Sequence, residues 1–317
     1  MTESRLSVDR IARAATVIDP VFLDSPQYVA ESLGRELGCR IVVKVETLNP
    51  IRSFKGRGTE LLVASLTGDA HLVCASAGNF GQGMAWSGRK RGLPVTVFCA
   101  TTANPLKIER MRAFGAEVRL VGRDFDEAHQ GAVEFAKANG ARLIEDGRDV
   151  EIAEGAGTIG VELTRWREPL DSIVVPLGDG ALLAGIAAWV KSHRKATRMF
   201  GVCAASAPAM ERSWRAGRVC ELPGHTIADG IEVTSPFAEA LSDITGVVDD
   251  VLLVEDDAIV SAIRLAHREL GVVLEPAGAA ALAAVVTHPD HFRDRLVAVL
   301  LTGGNATAEQ LRTWLAP

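Results

Sequence analysis

A chain of 317 residues, 48% of them hydrophobic, is long enough for two domains or one large α/β unit with an ample core. Its net charge of -6 falls in no block of one sign, and a single tyrosine with five scattered tryptophans offers no stacking platform, which argues against a nucleic-acid partner. The cysteines (Cys39, Cys74, Cys99, Cys203, Cys220) form no CxxC pair and read as reduced residues of a cytoplasmic protein; no apolar run is long enough to span a membrane, and Met1 to Arg5 lacks the apolar core of a signal peptide.

In chain order, residues 5 to 18 read as an amphipathic helix closed by Asp19-Pro20. An irregular stretch follows, and then a second helix over 29 to 37 before Gly38. The β-branched run Ile41 to Val45 reads as a strand that Asn49-Pro50 breaks. Ser53 is the expected cap of the next helix, so Lys55 stands at a helix entrance beside Phe54 and two glycines. A lysine placed there is suited to condense with an aldehyde; it is equally well read as a surface lysine after a turn.

Strands at 72–75, 95–99, 117–121 and 142–144 alternate with helices, the second of which opens with Pro105. A second series has strands at 173–176, 199–203, 251–254 and 296–301, a loop-rich stretch at 217–235, a helix over 258–270 and an alanine-rich helix after Glu275.

Three glycine-containing turns follow buried strands, where open α/β folds bind ligands. Gly178-Asp179-Gly180-Ala181 suits an anion through backbone N–H groups, although Asp179 would then have to point away. Ser76-Ala77-Gly78-Asn79 suits a carboxylate, and Thr302-Gly303-Gly304 offers one hydroxyl. Each is also compatible with an ordinary turn. His288 and His291 flank a proline, which sets them in a loop rather than as a helical metal pair, and no Gly-x-Ser-x-Gly elbow of a serine hydrolase occurs.

Taken together, Ser53 to Gly58, Ser76 to Asn79, Gly178 to Leu182, Thr226 to Ile231, Glu275 to Ala279 and Thr302 to Asn305 resemble, in order, the fold-type II pyridoxal-phosphate enzymes, most nearly the threonine/serine dehydratases or ammonia-lyases. The resemblance implies a tryptophan synthase β-like α/β fold of two open parallel-sheet domains with helices on both faces. The large cofactor-binding domain would comprise 1–70 and 148–317, and a small mobile substrate domain 71–147. It further implies that Lys55 holds pyridoxal 5'-phosphate and acts as the base at Cα, and that Phe54 packs on the pyridine ring. Asn79 would bond the 3-hydroxyl, Gly178, Asp179, Gly180, Ala181 and Leu182 would bind the phosphate, and Thr302 would face the ring nitrogen. Ser76, Ala77, Gly78, Asn79 and Phe80 would line the substrate side. The implied reaction is loss of water from a β-hydroxy amino acid such as L-threonine or L-serine, giving a 2-keto acid and ammonia. The alternatives are a β-replacement synthase or a non-catalytic amino-acid-binding relative. The implied partners are a small amino-acid substrate and a second copy of the chain as a homodimer, with neither nucleic acid nor membrane.

Several positions depart from the pattern. Ala77 stands where related racemases carry a serine, Phe80 where the family usually has histidine, and Asp179 and Ala181 where it has glycines. Carboxylates that bind a cation in some relatives are replaced around Cys203 to Ala209, so no metal is expected. With the chain ending at Pro317, no regulatory domain and no isoleucine feedback are expected.

Overall fold

The computed structural model describes residues 4–315. The first helix, α1 (Val8–Ala14), is capped by Ser7, whose side chain accepts from the Arg10 N–H. It is shorter than the predicted helix over 5–18. Pro20 cannot continue a helix, and Asp19 instead caps a separate tight turn, Pro20–Phe22. The predicted helix over 29–37 also divides. Gln27–Val29 is strand β1, antiparallel to β2 (Arg40–Val45), and only Glu31–Leu37 is helical (α2), ended by a left-handed Gly38. Tyr28 and Val29 favour a strand, and the exposed edge of β2 gives them one to pair with.

Helix α3 (Lys55–Ser65) follows β2. Then come β3 (Leu72–Ala75), α4 (Asn79–Lys90), β4 (Val95–Cys99), α5 (Pro105–Ala113), β5 (Glu117–Leu120), α6 (Phe125–Asn139) and β6 (Arg142–Leu143). Local chemistry sets these bounds. The Asn104 side chain caps α5 ahead of Pro105, and α6 runs from an Asp124 cap to a left-handed Gly140. The second series is α7 (Val150–Thr164), β7 (Ser172–Pro176), α8 (Ala181–His193), β8 (Arg198–Ala204), α9 (Ala209–Ala216), α10 (Ala238–Ile244), β9 (Asp250–Val254), α11 (Asp256–Leu270), α12 (Pro276–Thr287), β10 (Leu296–Leu301) and α13 (Ala308–Leu315).

Two sheets result. The order β5-β4-β3-β6 is parallel throughout. The order β1-β2-β10-β7-β8-β9 is parallel except for the short edge strand β1, so both sheets are the open parallel sheets expected. The larger sheet is covered on both faces, so its central strands are nearly continuous apolar runs. Val42, Ile173, Val175 and Leu300 pack with Ile152, Ile159, Leu183 and Ile186 of α7 and α8. Val43, Val174 and Val299 point the other way, onto Ile259, Ile263, Ala280 and Leu282 of α11 and α12.

A cluster of charged side chains is buried beside this core. Arg57 is fully buried; it grips Glu46 with two hydrogen bonds of 2.9 Å and donates to Glu162 at 2.6 and 3.0 Å and to Thr158 at 2.9 Å. Lys44, also fully buried, donates to Glu162 and to the Ser25 carbonyl. Burial alone would raise the Glu162 carboxyl, but Arg57 and Lys44 hold it below its usual range. Two cations and two carboxylates therefore balance, and each is multiply hydrogen-bonded. Arg57→Ala leaves Glu46 buried without its counter-charge. It should cost about 3–5 kcal/mol of stability in denaturant unfolding; a loss near zero would show that the cluster relaxes around the gap.

Candidate active site

The strand order assembles the site. β2, β10 and β7 are neighbours, so the turns at their carboxyl ends lie side by side; these turns carry Lys55, Thr302 and Gly178. β3 and β6 are neighbours in the other sheet, which sets the Ser76 turn beside the turn that holds Asp146.

Lys55 is the first residue of α3. Ser53 lies one residue before the cap position, which Phe54 occupies, and its hydroxyl accepts from the Lys55 N–H at 3.4 Å. The Lys55 ammonium is 4.8 Å from the centroid of the Phe54 ring and 6.0 Å from that of Phe80. It also donates to the carboxylate of Asp146, a partner that the sequence reading did not include. A signal for it was available: Asp146 follows the carboxyl end of β6, the kind of position that drew attention to the other turns.

The turn after β3 supplies the next group. Ser76 Oγ accepts from the N–H groups of Gly78 at 3.2 Å and Gly81 at 3.0 Å, which leaves its own proton to donate. Asn79 begins α4; its amide donates to Glu275 Oε1, and its Oδ1 accepts from Asn305 Nδ2 at 2.8 Å. Asn305 is held in turn by the Ile51 carbonyl at 2.8 Å and by Arg110 at 2.8 Å. Gly303 permits this approach: an added Cβ there would lie 1.9 Å from Glu275 Oε1 and 3.1 Å from Asn79 Nδ2. Ala77 and Gly78 are part-buried and Phe80 is buried. Thr302 is buried, and its carbonyl accepts from the Phe54 N–H at 3.2 Å.

Lys107 and Glu275 complete the crevice. Lys107, only 4% exposed at its side chain, donates to Asp229 at 2.6 Å, and its ammonium is 3.6 Å from Glu275 Oε2. Burial pushes the Glu275 carboxyl up, while Lys107 opposes the rise. Glu275 Oε2 is buried without a hydrogen-bond partner in the protein. The sequence reading gave Glu275 only as part of a motif and did not select Lys107.

Helix α8 opens at Gly180, whose φ of +98° no other residue adopts easily. No side chain caps this end, so the N–H groups of its first turn are free to meet an anion. Ala181 and Leu182 are buried, as are Gly178 and Gly180. Asp179, in the same turn, lies within electrostatic range of Asp146 and Lys55. Burial first, and then the Asp146 charge, push its carboxyl up to about 7, against the pull of Lys55. Among the described residues no group of three or more histidine, cysteine or acidic side chains is arranged to hold a metal ion.

Residues 18–303 match the family model of pyridoxal-phosphate dependent enzymes. The L-threonine ammonia-lyase of Geobacter sulfurreducens is 36% identical over 274 residues, covering 85% of this chain and 68% of that protein. The chloroplastic biosynthetic threonine dehydratase of Arabidopsis thaliana is 34% identical over 305 residues; the match takes in 94% of this chain but only 52% of that longer protein. The solved structure of processed threonine deaminase isoform 2 from Solanum lycopersicum superposes with a TM-score of 0.89 at 29% identity, covering 99% of this chain and 96% of that one.

The raised Asp179 carboxyl has a consequence for stability. Its folded pKa exceeds the ordinary 3.8, so its proton stabilises the fold at low pH, and that contribution is lost as pH rises through about 7. Asp179→Asn should remove this loss. Denaturation midpoints of the cofactor-free proteins should converge at pH 4 and separate in favour of the variant by pH 8; a constant difference across the range would contradict the shift.

Proposed function

Because the chain belongs to the pyridoxal-phosphate dependent enzyme family and has its fold-type II architecture, we propose that it is a lyase that eliminates water from a β-hydroxy amino acid of the L-threonine or L-serine type, leaving a 2-keto acid and ammonia. The observation that carries this reading is the convergence of Lys55, the Ser76–Asn79 turn, the uncapped start of α8 and the Thr302 turn in one crevice.

The residues fit the cofactor. The uncapped first turn of α8 can hold its phosphate. Phe54 offers a ring face beside Lys55. When bound, pyridoxal phosphate supplies a sink for the electron pair left at Cα. The protein does the rest. Lys55 Nζ takes the Cα proton, and the Ser76 hydroxyl with the N–H groups of its turn orients the substrate carboxylate. Asn79, clamped by Glu275 and Asn305, presents its amide at a fixed angle. Thr302 sets a neutral hydroxyl, not a carboxylate, where the resemblance locates the ring nitrogen. That choice favours rapid expulsion of a group at Cβ over a long-lived carbanion. Ala77 has no hydroxyl with which to return a proton to the opposite face of Cα, which favours elimination over racemisation.

We extend the proposal to residues 71–147 as a mobile substrate domain, with Lys107 bridging to Asp229 and Glu275 across the crevice. A homodimer in the cytoplasm completes the reading. The free thiols support the compartment, and no described helix is long and apolar enough to cross a membrane.

The test is keto acid release by the cofactor-loaded protein. L-threonine or L-serine should yield keto acid and ammonia, and Lys55→Ala should lose this activity. An added thiol should not divert the product. Full activity in Lys55→Ala would overturn the assignment, and efficient capture of the thiol would move the protein to the β-replacement class.

A further inference from the structure

Asn79 is one link in a directed chain of hydrogen bonds. Arg110 Nη1 donates to Asn305 Oδ1 at 2.8 Å, Asn305 Nδ2 donates to Asn79 Oδ1 at 2.8 Å, and Asn79 Nδ2 donates to Glu275 Oε1. Every bond runs in the same sense, from a guanidinium at one end to a carboxyl group at the other. The links also alternate between the two sheets. Arg110 on α5 and Asn79 on α4 belong to helices that join strands of the four-stranded sheet. Asn305 follows β10, and Glu275 precedes α12, which packs on the six-stranded sheet. Resting on the reading that Asn79 meets the 3-hydroxyl of the cofactor, we propose that Arg110 is a positioning residue for the reaction: acting through Asn305, it fixes the Asn79 amide so that an N–H, and not the oxygen, is presented to the cofactor.

The ends of the chain decide its direction. A guanidinium only donates, and a carboxylate only accepts. An amide can turn over and exchange donor for acceptor, so Asn305 and Asn79 need neighbours that tell their two ends apart. Asn305 Nδ2 donates to the Ile51 carbonyl at 2.8 Å as well as to Asn79. A reversed Asn305 would turn its N–H groups on Arg110 and its oxygen on that carbonyl. A reversed Asn79 would set its oxygen against Glu275 and its N–H groups against those of Asn305. Asn305 and Glu275 are both buried, so water cannot repair such mismatches. Gln82 Nε2, 3.5 Å from Asn79 Oδ1, is a further donor facing the same oxygen.

α5 supplies a cation at each end of the chain. The half-buried Arg110 is not spent on a carboxylate: its hydrogen bonds go to neutral oxygens, Asn305 Oδ1 and the Pro50 carbonyl at 3.1 Å. Lys107, three residues earlier, lies 3.6 Å from Glu275 Oε2 and opposes the rise that burial imposes on that carboxyl, which favours its accepting form. The Asn79 amide nitrogen has a second N–H that this chain does not use. With Oδ1 accepting from Asn305, that N–H is polarised into a better donor. Without the Arg110 donors, Asn305 loses the group that holds its oxygen in place, and Asn79 loses its fixed orientation in turn.

The experiment compares the cofactor-loaded parent with Arg110→Met, Arg110→Lys, Asn79→Ala and the double variant Arg110→Met/Asn79→Ala. Arg110→Met should shift the visible band of the bound cofactor. It should also lower kcat on L-threonine by about ten- to a hundredfold, with KM nearly unchanged. Arg110→Lys retains a donor and should restore both. Once Asn79 is removed, the methionine should add nothing, so that the double variant matches Asn79→Ala in band and in kcat. An unmoved band in Arg110→Met, no rescue by Arg110→Lys, or effects that add in full to those of Asn79→Ala would overturn the inference. The spectra need no turnover. The expected band shifts in a parent that releases no keto acid would therefore uphold the inference while overturning the elimination reading. A parent that takes up no cofactor would overturn both.

Discussion

The Arg57 guanidinium is the constraint on which the rest of the molecule depends. It lies two residues beyond Lys55, with no exposure to solvent, and its partners belong to three separate segments. Glu46 follows β2, Glu162 and Thr158 are on α7, and Ser25 precedes β1. Burying these charges offsets much of what their attraction yields, so the cluster contributes more to uniqueness than to net stability. Sliding α3 by one turn would strand two carboxylates in an apolar core. Lys55 is thereby fixed at the start of α3 by a residue that takes no part in the chemistry.

The same frame explains why the site forms where it does. A sheet in which β2, β10 and β7 are neighbours brings three chain-distant turns to one edge, and the second sheet brings the Ser76 and Asp146 turns to meet them. Gly303 then decides how close they come. With no side chain of its own, it lets Glu275 and Asn79 bond to each other across the gap, and Asn305 locks Asn79 from behind. Asn79 is thus held from two sides, and Lys55 is held by the Asp146 carboxylate.

Much of this was legible in the residues. The buried strands and the glycine turns after them carry strong local signals, because a parallel strand covered on both faces has to be an apolar run. The helix at 5–18 was overdrawn, since its apolar spacing continues past the point where Asp19 caps a new turn. Residues 27 to 29 pair as a strand only because β2 has an open edge, which is a tertiary fact. At the site, Lys55, Asn79 and the Gly178 turn could be read from type and position. Asp146 followed a strand end and could have been picked out by position, but Lys107 and the bond between Asn79 and Glu275 could not, because each depends on which elements become neighbours. Asp179 stood out as a charge in a turn suited to an anion, and burial with Asp146 nearby pushes its carboxyl up.

The central claim is that Lys55 is the point at which pyridoxal phosphate is held. The direct measurement is borohydride reduction of the cofactor-loaded protein, followed by mass mapping of its peptides. The account predicts one phosphopyridoxyl group per chain, on the peptide that contains Lys55. A label on another lysine, such as Lys107, or no label in a protein with bound cofactor, would contradict it.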